Sequence, residues 1–406
     1  MATSTLSLHT AYRPLRLRAV SAFDTFERVF RRLGAWLMLC FLLLGELGLS
    51  WDIQWHALIG RDRFWTPPHI LLYFAVGGAG LTALAVVLID TLRYRKQAAG
   101  VSDGSTVCAC RVFHAPLGFI LAGCGPLIAA IAAPFDNYWH QLYGIDITLW
   151  SPFHMMGVIG GIVGALGLVF AIASENAIDR RTERLPRLLL GLSGLEWTAL
   201  ILLSGLLRLT FSALTQFPSF SLGALQGVTY PLPLTLGAAL CLVSAMRFTR
   251  KPGTGTVLGL LVMCHTVVSE AFVPYAVRVM VTHLALHYRF PGRLPFFNLT
   301  AVLLPLIFVA SGLLVDGIAL WQRKHDGMKS VGNTSAVIGM LIALPLLVGA
   351  PLILQTTMQW LPKGIVYMPP QTVLPLVTAF PLTVALGAIT GMAGKVLGDV
   401  WYRNVR

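Results

Sequence analysis

Two stretches of the chain repeat one arrangement of acid and imidazole. WDIQWHALIGRDRFWTPPH spans residues 51 to 69, and FDNYWHQLYGIDITLWSPFH spans residues 135 to 154. Both contain Asp-x-x-Trp-His, an Asp six residues after that His, and a Pro two residues before a closing His. Asp52, His56 and His69 therefore correspond to Asp136, His140 and His154. In a helix, the i, i+4 spacing of Asp52 with His56 and of Asp136 with His140 puts carboxylate and imidazole on one face. Two such triads are candidate metal sites, since two imidazoles and a carboxylate suit Fe(II), Zn(II), Mn(II) or Cu(II) by ligand type.

The closing histidines need elements that hold them. Thr66-Pro67-Pro68-His69 and Ser151-Pro152-Phe153-His154 each read as a helix start, with Thr or Ser as N-cap and Pro at the first helical position. Each closing His then lies in a first helical turn, where the helix dipole favours the neutral, metal-binding imidazole. Asp62 and Asp146 read either as carboxylates orienting imidazole N–H groups or as caps and salt-bridge partners. Trp51, Trp55, Trp65, Trp139 and Trp150 read as an aromatic belt at a membrane boundary.

The elements themselves are membrane spans. With 406 residues, 56% hydrophobic and 12% charged, the chain reads as an all-α polytopic membrane protein of about ten transmembrane helices. The spans fall near 33–50, 69–90, 113–133, 153–174, 188–209, 229–246, 256–274, 299–320, 332–354 and 373–393. No cleavable signal peptide is evident in the polar, Arg-bearing N-terminus. A two-helix unit, span then motif loop then span, is repeated at an offset of about 84 residues. Glycines follow each motif, Gly77, Gly78 and Gly80 and then Gly157, Gly160, Gly161, Gly164 and Gly167, and predict close helix packing. The resulting division is a cytoplasmic tail at 1–32, a duplicated metal-binding unit at 33–175, and a further helical bundle of unknown role at 187–406.

Charge supplies an orientation. An inside N-terminus puts Arg13, Arg16, Arg18, Arg28, Arg31, Arg32 and the basic loops Arg93 to Lys96, Arg180-Arg181, Arg250-Lys251 and Arg323-Lys324 on the cytoplasmic side. Both termini are then cytoplasmic and both motifs lie on the outer, periplasmic side of the cell membrane. The net charge of +13 reads as this bias together with anionic-lipid contact, and not as nucleic-acid binding.

Other ionisable residues are subsidiary candidates. His283 and His287 have i, i+4 spacing, but the nearby Arg278, Arg289 and Arg293 favour anion or headgroup contact over a cation. Glu46, His265 and Glu270 fall within spans, where ionisable groups are functional candidates by default. Glu46 is near enough in sequence to join or neutralise the first triad. Cys108-Ala-Cys110 reads as a reduced, inert pair or a Cu(I) shuttle, and the four span cysteines as apolar filler.

These motifs resemble a known family. Among the copper membrane monooxygenases, the particulate methane and ammonia monooxygenases, one membrane-spanning component carries an Asp-x-x-Trp-His…Arg-Asp…Thr-Pro-x-His-Ile run that supplies a copper site. Asp52, Trp55, His56, Arg61, Asp62, Thr66, Pro67, His69 and Ile70 stand at those positions. The family's second copper site uses an Asn, a His four residues later and a His after a Pro-x pair, where this chain has Asp136, His140 and His154. The resemblance covers roughly residues 30–175 and implies copper, with iron or zinc compatible with the ligands. It also implies companion subunits, hence an oligomer, and O2-dependent oxidation of a small apolar substrate. Asp136 in place of Asn, the extra spans after 187 and the lack of a soluble cupredoxin-like part depart from the family. Metal uptake or handling, through a path lined by His265, Glu270, Glu196 and Asp316, and a purely structural use of metal are the competing readings.

Overall fold

The computed structural model describes residues 25–60, 64–98, 101–144, 151–181, 188–211, 219–222, 225–292, 294–325, 331–358 and 373–403. Four long helices come first: α1 (Thr25–Leu58), α2 (Pro67–Arg95), α3 (Leu117–Tyr143) and α4 (Pro152–Arg181). Between α2 and α3 lies a small antiparallel hairpin, β1 (Thr106–Ala109) with β2 (Phe113–Pro116). Then come α5 (Gly194–Leu209), a second hairpin of β3 (Ser219–Leu222) and β4 (Leu225–Val228), α6 (Pro231–Thr249) and α7 (Thr254–His283). The chain continues through the short α8 (Leu299–Leu303), α9 (Leu306–His325), α10 (Val331–Met358) and α11 (Val373–Arg403).

The protein is all-α, and among the described residues eight helical segments are long and apolar enough to cross a membrane. They coincide with eight of the ten predicted spans. The predicted span at 188–209 is shorter than expected, because Leu189–Gly191 forms a 3-10 turn and Ser193 then starts α5 with a capping box, its hydroxyl accepting from Glu196 N–H while Glu196 accepts from Ser193 N–H. The apolar part of α10 described in full, Thr334–Ala350, is also shorter than a bilayer crossing. The N-terminal boundary moves as well: α1 already starts at Thr25, inside the stretch read as tail.

In the duplicated unit α1 packs on α2 and α4, and α3 packs on α2 and α4, so the four helices close a ring with α5 set against α1 and α4. The α3–α4 contact is the tightest of these. A Cβ at Gly125 would overlap the Gly164 backbone and one at Gly167 the Ala122 backbone, so these glycines let the two helix backbones touch. Gly160 also belongs to this seam. Gly157 and Gly161, predicted to join it, instead have open space at the Cβ position, as does Gly77 on α2. Gly78 takes the Phe41 ring of α1.

The remaining helices form a second bundle that shares a continuous apolar core with the first, running from Met38 and Phe119 through Leu200 and Leu242 to Trp401. A separate cluster joins the far end of α1 to α7 through Trp51, Trp55, Ile59, Val273 and Val277. Trp51 and Trp55 are therefore buried packing residues and not part of an interfacial belt, because their i, i+4 face points at α7. Trp65 is exposed, Trp139 packs on Tyr143 and Phe153, and Trp150 lies outside the described residues.

The opposite end of α1 is held by charge. Arg28 and Arg32 pair with Glu175 and Asp179 of α4, Arg31 with Asp90 of α2 and with Asp103, and Glu27 with Arg93. Arg31 is 1% exposed with Asp90 Oδ2 at 2.9 Å. Several cations that the sequence assigns to lipid contact are thus satisfied inside the protein. Burying such charges is tolerable only because they are paired.

Candidate metal centres

Each motif helix ends where its triad begins. Asp52 and His56 lie on one face of α1, and His69 is the third residue of α2, after Pro67 and Pro68. Asp136 and His140 close α3 in the same way, and His154 is the third residue of α4. The predicted helix starts are present, with a difference in their caps. Ser151 Oγ accepts the His154 N–H at 3.3 Å, whereas Thr66 has N-cap geometry but makes no side-chain cap.

The fold brings both predicted triads together. Asp52 Oδ1 is 3.4 Å from His56 Nδ1 and 3.2 Å from His69 Nε2. Asp136 Oδ2 is 3.3 Å from His140 Nε2 and 3.2 Å from His154 Nε2. In each triad the three ligand atoms lie within 4.8 Å of one another, a spacing that can surround a metal ion. Asp52 Oδ1 and Asp136 Oδ1 are buried without a hydrogen bond. A buried carboxylate oxygen left this way costs free energy, and a bound cation would offset that cost.

Backbone carbonyls orient the rings. His140 Nδ1 is 3.2 Å from the Gly144 carbonyl, and Gly144, at φ 84°, ends α3 in a conformation that favours glycine. Donation from Nδ1 puts that imidazole's lone pair on Nε2, facing Asp136. His56 Nδ1 lies 2.8 Å from the Asp52 carbonyl, which likewise directs its Nε2 lone pair away from the helix backbone.

The two triads are neighbours, which their sequence separation does not reveal. The His56 ring centroid is 6.3 Å from that of His154, about the same as its 6.1 Å to His69 within its own triad. Ligands from both triads line one cavity of about 1080 Å³, walled by α1 to α5. The first triad is the deeper, with Asp52, His56 and His69 at 7%, 5% and 8% exposure, while the residues of the second are half-buried. Phe64, Trp65 and Tyr73 stack beside His69 at the cavity mouth.

The subsidiary candidates separate from the triads. Glu46 lines the cavity but is held by Arg208 Nη1 at 2.9 Å and His265 Nδ1 at 2.7 Å. Opposite charge on α5 and α7 draws it away from the first triad. Arg208 also reaches Ser50 Oγ, and His265 Nε2 lies 3.2 Å from Ser204 Oγ. This network went unread in the sequence, although Glu46 and Arg208 as opposite charges within apolar stretches were a signal for it. His283 and His287 do not form a helical pair: α7 ends at His283, Ala285 takes φ 49°, and both imidazoles are exposed. Asp62 and Asp146 lie outside the described residues.

Of the residues predicted to line a transport path, Glu196 caps Ser193 and pairs with Arg180 and Lys251. Asp316 accepts from the Gly255 and Thr256 N–H groups at the start of α7, and Glu270 accepts from Asn298 N–H. All three, like His265, are engaged in joining helices. The protein is thus a membrane-type helical bundle with two Asp-His-His groupings able to hold metal. Comparison of the chain with models of known families, with characterised proteins and with solved structures finds no match.

Proposed function

We propose that the protein is a membrane-embedded metal protein whose paired triads hold two ions, copper in preference to iron or zinc, for O2-dependent oxidation of an apolar molecule drawn from the bilayer. The observation that carries this reading is the placement of two Asp-His-His sets side by side at one end of a single apolar cavity. The resemblance to the membrane-spanning component of the copper membrane monooxygenases supports the choice of copper and the need for companion subunits. A bound redox-active metal would supply the ability to bind and reduce O2.

The chain's own residues do the rest. His56, His69, His140 and His154 offer neutral nitrogen donors, and the Gly144 and Asp52 carbonyls fix the orientation of two of the rings. Asp52 and Asp136 supply the negative charge that holds a divalent ion. The apolar walls keep water from the site and let a bilayer-soluble molecule approach. The basic bias of the sequence supports an outward position for the triads with both termini inside.

Metal handling is the weaker reading, because the residues named for an inward path are tied into helix contacts. The test is metal analysis of purified protein under a competing chelator, paired with O2 consumption in the presence of a chemical reductant. About two ions per chain are expected. His56→Ala or His69→Ala should remove the first, and His140→Ala or His154→Ala the second. Tight metal retained by all four variants would refute the assignment. Two bound ions with no O2 consumption under any reductant would favour handling.

A further inference from the structure

The cavity is much longer than the triads require. Its wall follows α2 from His69 to Val87 and α3 from Phe119 to Asp136. At about 1.5 Å of rise per helical residue this is roughly 26 Å, close to the ~30 Å hydrocarbon thickness of a bilayer. Its volume of about 1080 Å³ sits at the top of the range of roughly 300–1,000 Å³ seen for sites of drug-sized ligands. A molecule of a few atoms would leave nearly all of it unfilled.

The wall is graded along that length. One end carries the carboxylates and imidazoles of the triads, Glu46 marks the middle, and beyond it the lining is aliphatic and aromatic as far as Phe113 and Phe119. Charge in the middle is already neutralised, since Glu46 is bound by Arg208 and His265. Glycines keep the space open. Gly77 and Gly161 line the cavity and meet nothing where a Cβ would stand, whereas Gly125 and Gly167 are needed for backbone contact between α3 and α4. Close helix packing therefore accounts for the second pair and not for the first.

The triad end limits what can sit there. Phe64, Trp65 and Tyr73 crowd it, and two carboxylates disfavour a second anion. We propose that the cavity binds a long-chain alkyl compound with a small uncharged end, of the alkane or fatty-alcohol class. The uncharged end lies at the triads and the chain extends towards Val87 and Phe119. This names the substrate class of the metal centres and rests on the reading of the triads given above.

The test uses the full, metal-loaded chain in nanodiscs and a hexadecanol carrying a photoactivatable diazirine near its terminal methyl. Adducts are mapped by peptide mass spectrometry, and metal content is read in the same samples. Adducts are expected on the deep wall around Val87 and Phe119, competed by unlabelled hexadecanol and less well by palmitate. Gly77→Leu and Gly161→Leu should each reduce them about tenfold, as expected of side chains filling the space of a bound chain, with metal content unchanged. Two variants on different helices guard against one that folds poorly. Metal bound normally, with adducts spread equally over outward-facing Leu320, Trp321 and Val396, overturns the chain site and leaves the metal reading standing. Deep-wall adducts in protein that binds no metal support the chain site and refute the metal reading instead.

Discussion

Asp136 carries the chemical difference between this chain and the copper family it resembles. Its Oδ2 lies at 3.2 Å and 3.3 Å from two imidazole nitrogens, so the side chain occupies the position of a donor and not of a spectator. Asp136→Asn keeps the shape but removes a charge, and affinity for Cu(II) at the second triad should fall by at least about tenfold, or ~1.4 kcal/mol. Cu(I) should be held relatively better, raising the midpoint potential. Chelator competition and redox titration read the two effects, and an unchanged affinity would remove Asp136 from the ligand set. The residue types of both triads were legible from spacing alone, because i, i+4 on a helix and a Pro-started helix are local rules. The contact between His56 and His154 was not, since it depends on how α1 and α4 lie across the ring. Glu46 was misread for the same reason: its partners Arg208 and His265 are distant in sequence.

The helices that present these ligands are held by two different devices. Between α3 and α4 it is backbone contact at Gly125, Gly164 and Gly167, and between α1 and α7 it is the paired indoles Trp51 and Trp55. Gly164→Leu should push α3 from α4, lower the melting temperature in detergent by an overpacking cost of about 1–3 kcal/mol, and release metal from the second triad before the first. Trp55→Ala should instead cost about 3–5 kcal/mol and weaken the first triad, as the end of α1 loses its support. Equal metal loss from both triads in either variant would mean that the two halves do not act as separate supports. Glycine enrichment announced the α3–α4 seam in the sequence. Which glycines face the seam and which the cavity followed only from helix rotation, and the tryptophans were assigned to an interface because composition cannot tell lipid from a neighbouring helix.

The whole chain is one membrane-type bundle with its acid and imidazole at one end of α1 and its buried arginines at the other. The charge bias places the arginine end inside, so a periplasm-active reporter fused near Gly144 should be active and one fused after Arg403 inactive. The reverse result would invert the orientation. About ten spans were readable as apolar runs, and the two that fall short do so through a capping box and a turn that hydropathy averages away.

The duplication carries a kinetic consequence through its unequal burial. The two copies offer the same ligands, but the first lies below solvent reach while the second is half open, with His154 standing next to His56. Exchange with the medium should therefore run in order. An added chelator should empty the second triad quickly and the first slowly, in two phases, and refilling should follow the same sequence. His154→Ala removes a ligand from the outer station and should change the rate at which the inner ion leaves while keeping the number of inner ligands unchanged. Stopped-flow chelation resolves the phases. A single phase in the wild-type protein would show that the two ions leave independently of depth, and that the second copy is no waystation to the first.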